Sequence, residues 1–436
     1  MLKFIAGWIL GGFAIFQTLL LFEQPALGFE VTAVELHGVN RTNPEWLKNY
    51  LGLTLPKNLN SSDLAFLTQK ILNTEVFYDA HLYFSPVTTN SDTGTLVIKV
   101  AEKWTWLPVV RGAFGGGTPL FVLGTYDTHT FGRLWTLGAE IRKYGESPLS
   151  YLIWAKAPRW REGEHLLSLK YWQNNREREV LDKEFKSIGN MQSKVREVHL
   201  SFYFPKNFFG IKLQTGIDLD YYDVHSTKIN TPNTVNDVNF ESPSDSHDEI
   251  RPLANLIYDD IFLNHLNKDG IRFILKGGFL KNDSGMHGHY EAEAFYYKLW
   301  PDDWNLAVHG HWYMNTANYF QNQFFLGGLD SIRGLPEGAI YGNRAYYTNI
   351  EMRKILVKYS TAWLQGNVFF DAGNAGLEWD DILRKQFASA GLGLKISIPQ
   401  VNRLVLRLDY AWSLSEPQFS GFSFGFNSFV QPYRPI

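Results

Sequence analysis

Residues 403–412 read Arg-Leu-Val-Leu-Arg-Leu-Asp-Tyr-Ala-Trp. In an extended strand successive side chains point to opposite faces. Leu404, Leu406, Leu408, Tyr410 and Trp412 therefore share one face, and Arg403, Arg407 and Asp409 the other. The same two-residue period recurs at 271–280, 392–398 and 422–429 and governs the chain from about Glu102 onward. Such a pattern admits two outcomes. In a soluble sandwich the polar face meets water and the apolar face a core. In a transmembrane barrel the apolar face meets lipid and the charged face lines the lumen.

Length separates the two. Residues 104–436 number 333, and at about 9–11 residues per tilted strand plus connections this makes roughly sixteen antiparallel strands. Short turns are expected near 128–133, 158–164, 205–210, 262–270, 301–303, 358–361 and 399–402. Longer connections are expected at 173–195, 223–249, 281–288, 315–344 and 371–384. Barrels alternate tight turns on one rim with loops on the other, whereas a sandwich has no reason to. Aromatics make up 16% of the chain although only 19% is charged, and mean hydropathy is −0.21. Rings without overall greasiness suit a barrel with aromatic girdles and a polar lumen.

The N-terminus carries Lys3, an apolar run from Phe4 to Phe22 and a small-residue exit at Ala26-Leu27-Gly28. This reads as a signal peptide over 1–28, with a spanning anchor as the alternative. No later run approaches about 18 apolar residues, so spanning falls to strands. Residues 29–103 read as a small α+β unit of order βααββ. Asn43-Pro44 opens the first helix, and the second follows Ser61-Ser62-Asp63.

A net charge of −3 calls for no nucleic-acid partner, and the absence of cysteine removes disulfides and thiol chemistry. There is no Gly-x-Ser-x-Gly elbow and no His-Glu-x-x-His motif, so no catalytic residue, metal or cofactor is assigned. Gly115-Gly116-Gly117 reads as a tight hairpin turn. The pairs His287/His289 and His309/His311 read as polar lumen or loop histidines, because a hairpin turning at Pro301–Asp303 sets His289 opposite about position 315.

The loop GGLDSIRGLPEG, Gly327–Gly338, places Arg333 among apolar residues. Phe324, Leu326, Leu329, Ile332, Leu335 and Ile340 do not tolerate full exposure, so the loop is expected to fold into the lumen. A buried guanidinium must then find carboxylates, since leaving it unpaired costs about 3–5 kcal/mol. Strand parity points Glu351 inward with Tyr347, Asn349 and Arg353, and Asp371 inward with Gln365, Asn367 and Phe369. Asp330 and Glu337 are local competitors.

Ser331-Ile332-Arg333-Gly334-Leu335 resembles the Val-Arg-Gly-Phe/Tyr motif in the sixth surface loop of the BamA/TamA superfamily, the bacterial surface-antigen family. Phe369-Phe370-Asp371-Ala372-Gly373 resembles its Phe-x-Asp-x-Gly strand motif. Ser389–Gly393, Leu408–Ala411 and the aromatic last strand follow its C-terminal pattern, and the 29–103 unit is similar to one POTRA domain. The resemblance implies an all-β outer-membrane barrel of sixteen strands over 104–436, with a periplasmic POTRA domain at 29–103. Its sixth surface loop, about 315–344, would fold inward.

By the same resemblance Arg333 with Gly334 latches onto Asp371 and Glu351. First and last strands, about 105–113 and 420–430, would form a seam marked by Phe422, Phe424, Phe426 and Phe429. The implied function is insertion of outer-membrane proteins or polypeptide translocation, with outer-membrane lipids, extended client polypeptides and periplasmic or lipoprotein partners. A dedicated two-partner-type secretion transporter is the alternative, and a passive porin a weaker one. The sequence departs from the pattern at Leu335, where an aromatic is usual, in the seven residues after Phe429 and in having one POTRA-like unit.

Overall fold

The computed structural model describes residues 28–426 apart from 89–90, 114–119, 161–164, 182–184, 209–210, 231–246, 265, 318, 320–321, 329–330, 337 and 402–404. The expected signal segment and the Gly115-Gly116-Gly117 turn lie outside the described residues.

The N-terminal unit runs β1 (Phe29–His37), α1 (Pro44–Leu51), β2 (Lys57–Leu59), α2 (Ser61–Leu72), β3 (Phe77–Pro86) and β4 (Thr93–Glu102). Asn43 starts α1 by accepting from the Trp46 amide, and Gly52 ends it in the left-handed region. For α2 the cap is Asn60, whose side chain and that of Asp63 each accept the other's backbone amide. The sheet order is β2-β1-β4-β3, with β1 and β4 parallel. Val31, Trp46, Leu47, Leu67, Ile71, Leu96 and Ile98 fill the space between sheet and helices. The order is therefore βαβαββ, one strand more than expected. Three residues, Lys57-Asn58-Leu59, are too few to show a period.

The rest follows as β5 (Trp106–Ala113), β6 (Leu120–Thr130), β7 (Trp135–Tyr144), β8 (Ser150–Trp160), β9 (His165–Leu181), β10 (Ser187–Phe208), β11 (Ile211–Asn230) and β12 (His247–Asn264). Next come β13 (Asn267–Asn282), β14 (Gly285–Leu299), β15 (Trp304–Asn315), β16 (Phe324–Leu326), β17 (Ile340–Gly342) and β18 (Arg344–Lys358). The chain then forms β19 (Trp363–Gly376), α3 (Trp379–Arg384), β20 (Phe387–Ser397), β21 (Val405–Ser413) and β22 (Gly421–Phe426). All but β16 and β17, which pair with each other, join one 16-stranded antiparallel meander from β5 to β22. Its end strands come within 8 Å between Cα atoms, so the sheet closes on itself. Among the described residues β5 and β22 share no ladder of hydrogen bonds.

The two faces differ in kind. Leu123, Ile153, Ile217, Leu275, Val368 and Leu392 are exposed outward, whereas Asp218, Glu249, Asn349, Arg353 and Lys395 are buried inside. Large exposed apolar side chains around a closed sheet with a polar interior are the signature of a barrel in lipid. No described helix is long and apolar enough to cross a membrane.

Two expected long connections are absent. At 281–288 the strands run on to a two-residue connection, Asp283-Ser284. At 173–195, β9 and β10 stay paired from Asn174↔Val195 out to Leu181↔Ser187. Residues 173–179 are all polar, so the sequence shows no alternation there while the backbone pairing persists.

The β6–β7 turn packs against the N-terminal unit. Leu134, in the β6–β7 turn, packs into the N-terminal core, and the Asn43 amide donates to the Gly132 carbonyl at 3.0 Å. Arg41 reaches Asp127 at 3.0 Å and the Thr105 hydroxyl at 2.6 Å. Glu102 accepts from the Arg41 and Thr42 amides, both at 2.9 Å.

Candidate functional site

The segment between β15 and β18 enters the barrel. Leu326, Ile332, Leu335 and Ile340 are buried with Tyr313, Ala345, Tyr347 and Phe387. Leu335, at the position where the resemblance calls for an aromatic, is itself 4% exposed and part of this cluster. The loop's shape comes from local chemistry. The Ser331 hydroxyl accepts from the Gly327 amide at 2.7 Å and donates to the Gly327 carbonyl at 3.1 Å. Gly327 has φ +113°, and a Cβ there would lie 1.9 Å from the Pro336 carbonyl oxygen. Only glycine fits that approach.

This turn presents Arg333, which is 0% exposed. Its Nε and Nη2 donate to Asp371 Oδ2 and Oδ1, each at 2.8 Å, in a bidentate fork. The Arg333 backbone amide donates to the same carboxylate at 3.2 Å. Nη1 donates to Glu351 at 2.8 Å and to Asp409 at 3.5 Å. The guanidinium carbon stands 3.4 Å from the centroid of the Phe369 ring, adding a cation–π contact on one face. Asn349 donates to Asp371 at 2.9 Å and to the Ser331 carbonyl at 2.6 Å, tying loop and strand together.

A second tier balances the charge. Glu351 also accepts from Arg353 at 2.6 Å and Lys395 at 2.6 Å, and Arg407 lies 3.8 Å from Asp409. Arg333, Arg353, Lys395 and Arg407 thus surround Glu351, Asp371 and Asp409. Sequence parity pointed to Glu351 and Asp371. It did not find Asn349, Lys395 and Asp409 as partners, although the alternation of β20 and β21 already turned the last two inward. Asp330 and Glu337 lie outside the described residues. Gly334 has φ +83°, with its missing Cβ 3.1 Å from Ala411 on β21.

At the proposed seam, Phe422 and Phe424 point outward and are 69% and 48% exposed. Phe422 packs edge-on against Tyr410 at 4.6 Å. The Phe426 side chain and Phe429 lie outside the described residues.

The histidine pairs do not converge. His289 pairs across with Asn315 and holds Glu291 at 2.9 Å, whereas His309 holds Glu293 at 2.9 Å and stacks on Phe295. Farther round, Glu197, His199 and Asp220 gather ligand-type atoms within 4.8 Å of one another, but Lys170 already pairs with Glu197 at 2.6 Å. His199 also joins Asp220 to the Ser201 hydroxyl, 2.6 Å away. Ser201 is 1% exposed in mid-strand, where the neighbouring amides are committed to the sheet ladder. Ser201 thus sits within a bonded line of polar side chains on the inward face of β10 and β11.

Residues 271–429 match the Omp85 superfamily domain. The match lies within the C-terminal part of the barrel. The chain's fold is similar to BamA from Haemophilus ducreyi lacking POTRA domains 1–3, with a TM-score of 0.54 at 14% identity over 92% of this chain and 84% of that one. CdiB from Acinetobacter baumannii gives 0.60 at 13% identity over 91% and 73%. CdiB from Escherichia coli gives 0.56 at 12% over 94% and 92%. No curated protein matches the sequence. The Omp85 match begins at β13 and contains the Arg333 loop, β18, β19 and their carboxylates.

Proposed function

We propose that this chain is an outer-membrane barrel that inserts or translocates other polypeptides. The observation that carries the reading is the inward loop: Arg333 locked to Asp371 and Glu351 inside an Omp85 barrel. A passive pore has no use for a loop held inside its lumen by a buried ion cluster. The N-terminal sheet, POTRA-like in order, faces the periplasm in this reading, and its edge strand β3 offers backbone groups to an extended client. The unladdered boundary between β5 and β22 gives a client strand a place to pair.

A second reading, a dedicated two-partner-type secretion transporter, is favoured by the barrel's overlap with the two CdiB structures at TM-scores of 0.60 and 0.56. Depleting the protein and quantifying the outer-membrane and secreted proteomes separates the two. Loss of many barrel proteins supports insertion, loss of one secreted protein supports dedicated secretion, and an unchanged proteome contradicts both.

A further inference from the structure

The outer face of the barrel is not uniformly bulky. Beside the first barrel strand it carries an open groove of about 560 Å³. Cross-strand partners share a face of a sheet, and the register sets Trp106↔Asp127, Thr125↔Ala139, Ala139↔Ile153, Leu137↔Ala155 and Ala155↔Leu169 on one face. That face is the outward one, since Trp106, Ile153 and Leu169 are 48%, 57% and 50% exposed. Thr125, Ala139 and Ala155 are the small side chains of its floor, and Trp106, Leu137, Ile153, Leu169 and Tyr171 are the large ones around them. Elsewhere the outward positions of the same strands are large, as at Phe121, Leu123 and Tyr151.

A groove with apolar walls that opens into a bilayer is filled by hydrocarbon, because water there would have few polar partners. Its polar end selects which molecule supplies that hydrocarbon. The groove ends at Asp127, beside the N-terminal unit, where Arg41 pairs with that carboxylate at 3.0 Å. The Arg41 side chain is 43% exposed and keeps donors free to face solvent, while Asp127 is 18% exposed. Cation and carboxylate side by side match a headgroup that also carries both signs.

We infer that this groove is a binding site for one zwitterionic diacyl phospholipid, an acyl chain lying over Thr125, Ala139 and Ala155. The phosphate faces Arg41 and the headgroup ammonium faces Asp127. The site borders β5, so the bound lipid occupies the flank that a client strand would approach. The inference rests on the barrel standing in lipid, and its failure would leave the polypeptide-handling reading untouched.

Native mass spectrometry of the full chain, released from mixed phosphatidylethanolamine and phosphatidylglycerol vesicles in mild detergent, tests it. One retained phosphatidylethanolamine per barrel is expected. Ala139→Phe with Ala155→Phe fills the floor and is expected to lower retention about tenfold, while Val368→Phe, on the outward face of β19, leaves it unchanged. Heat-modifiable migration confirms that each variant is folded. Arg41→Gln with Asp127→Asn is expected to keep one lipid but abolish the headgroup preference. Equal retention in folded wild type and floor variant, or several lipids bound without preference, would overturn the proposal.

Discussion

Arg333 draws its importance from how many groups depend on it. It meets three carboxylates and a ring at zero exposure, so its removal leaves buried negative charge without its partner. Arg333→Ala is expected to cost about 3–5 kcal/mol in urea unfolding of the barrel. Arg333→Lys should recover only part of this, because a point-like ammonium cannot fork onto Asp371 while also reaching Glu351. Full recovery by lysine would contradict the bidentate role. The exchange Arg333→Asp with Asp371→Arg sets a carboxylate close to Glu351 and Asp409, so rescue by the swap should be partial. Strand parity made Asp371 and Glu351 legible, since one alternating face announces its direction. Asn349 and Lys395 stood on the same inward faces, but their partnership depends on strand register, which alternation alone does not set.

At the scale of elements, the loop is shaped by glycine and held by packing. Gly327→Ala is expected to destabilise by more than about 1 kcal/mol, since it combines a left-handed φ with a carbonyl clash. Limited proteolysis of the loop should report it as faster cleavage, and unchanged cleavage would speak against the tight turn. The long β9–β10 hairpin reaches the same region: Phe185 near its tip packs edge-on against Phe387 at 5.5 Å and Phe419 at 5.4 Å. Phe185→Ala should lose about 0.5–1.5 kcal/mol for each aromatic contact and speed hydrogen exchange in the outer part of the hairpin. Unchanged exchange would show that the tip is held by something else. In the sequence its outer part, 173–195, reads as a loop, because the polar run 173–179 carries no apolar alternation. Residues 281–288, rich in Gly, Asn, Asp and Ser, also read as loop, yet two residues suffice for the turn.

At the scale of the whole molecule, two units are coupled at the β6–β7 turn. Glu102 sits at that junction, and although burial pushes its carboxyl up, hydrogen bonds from Thr42 and the Arg41 and Thr42 amides hold it below the ordinary value of 4.5. A carboxylate with a lowered folded value stabilises above the unfolded value and loses that contribution as pH falls through the folded one. Protection of the Arg41 and Thr42 amides, taken relative to their intrinsic exchange at each pH, should therefore stay high near neutrality and fall below about pH 4.5, and Glu102→Gln should flatten the profile. A flat wild-type profile would exclude Glu102 as the clasp. Sixteen strands were legible from length and alternation, whereas the clasp was not, because no local pattern shows which turn meets which domain.

The inward loop is the claim on which the functional reading stands, and the chain's lack of cysteine makes it directly testable. A Cβ at Gly334 would lie 3.1 Å from that of Ala411, close to the roughly 3.5–4.5 Å of a disulfide. Gly334→Cys with Ala411→Cys, oxidised in intact outer membranes and digested between the two positions, should yield fragments joined until a reductant is added. Separate fragments from a barrel that is still folded by heat-modifiable migration would place the loop outside the lumen and contradict the account.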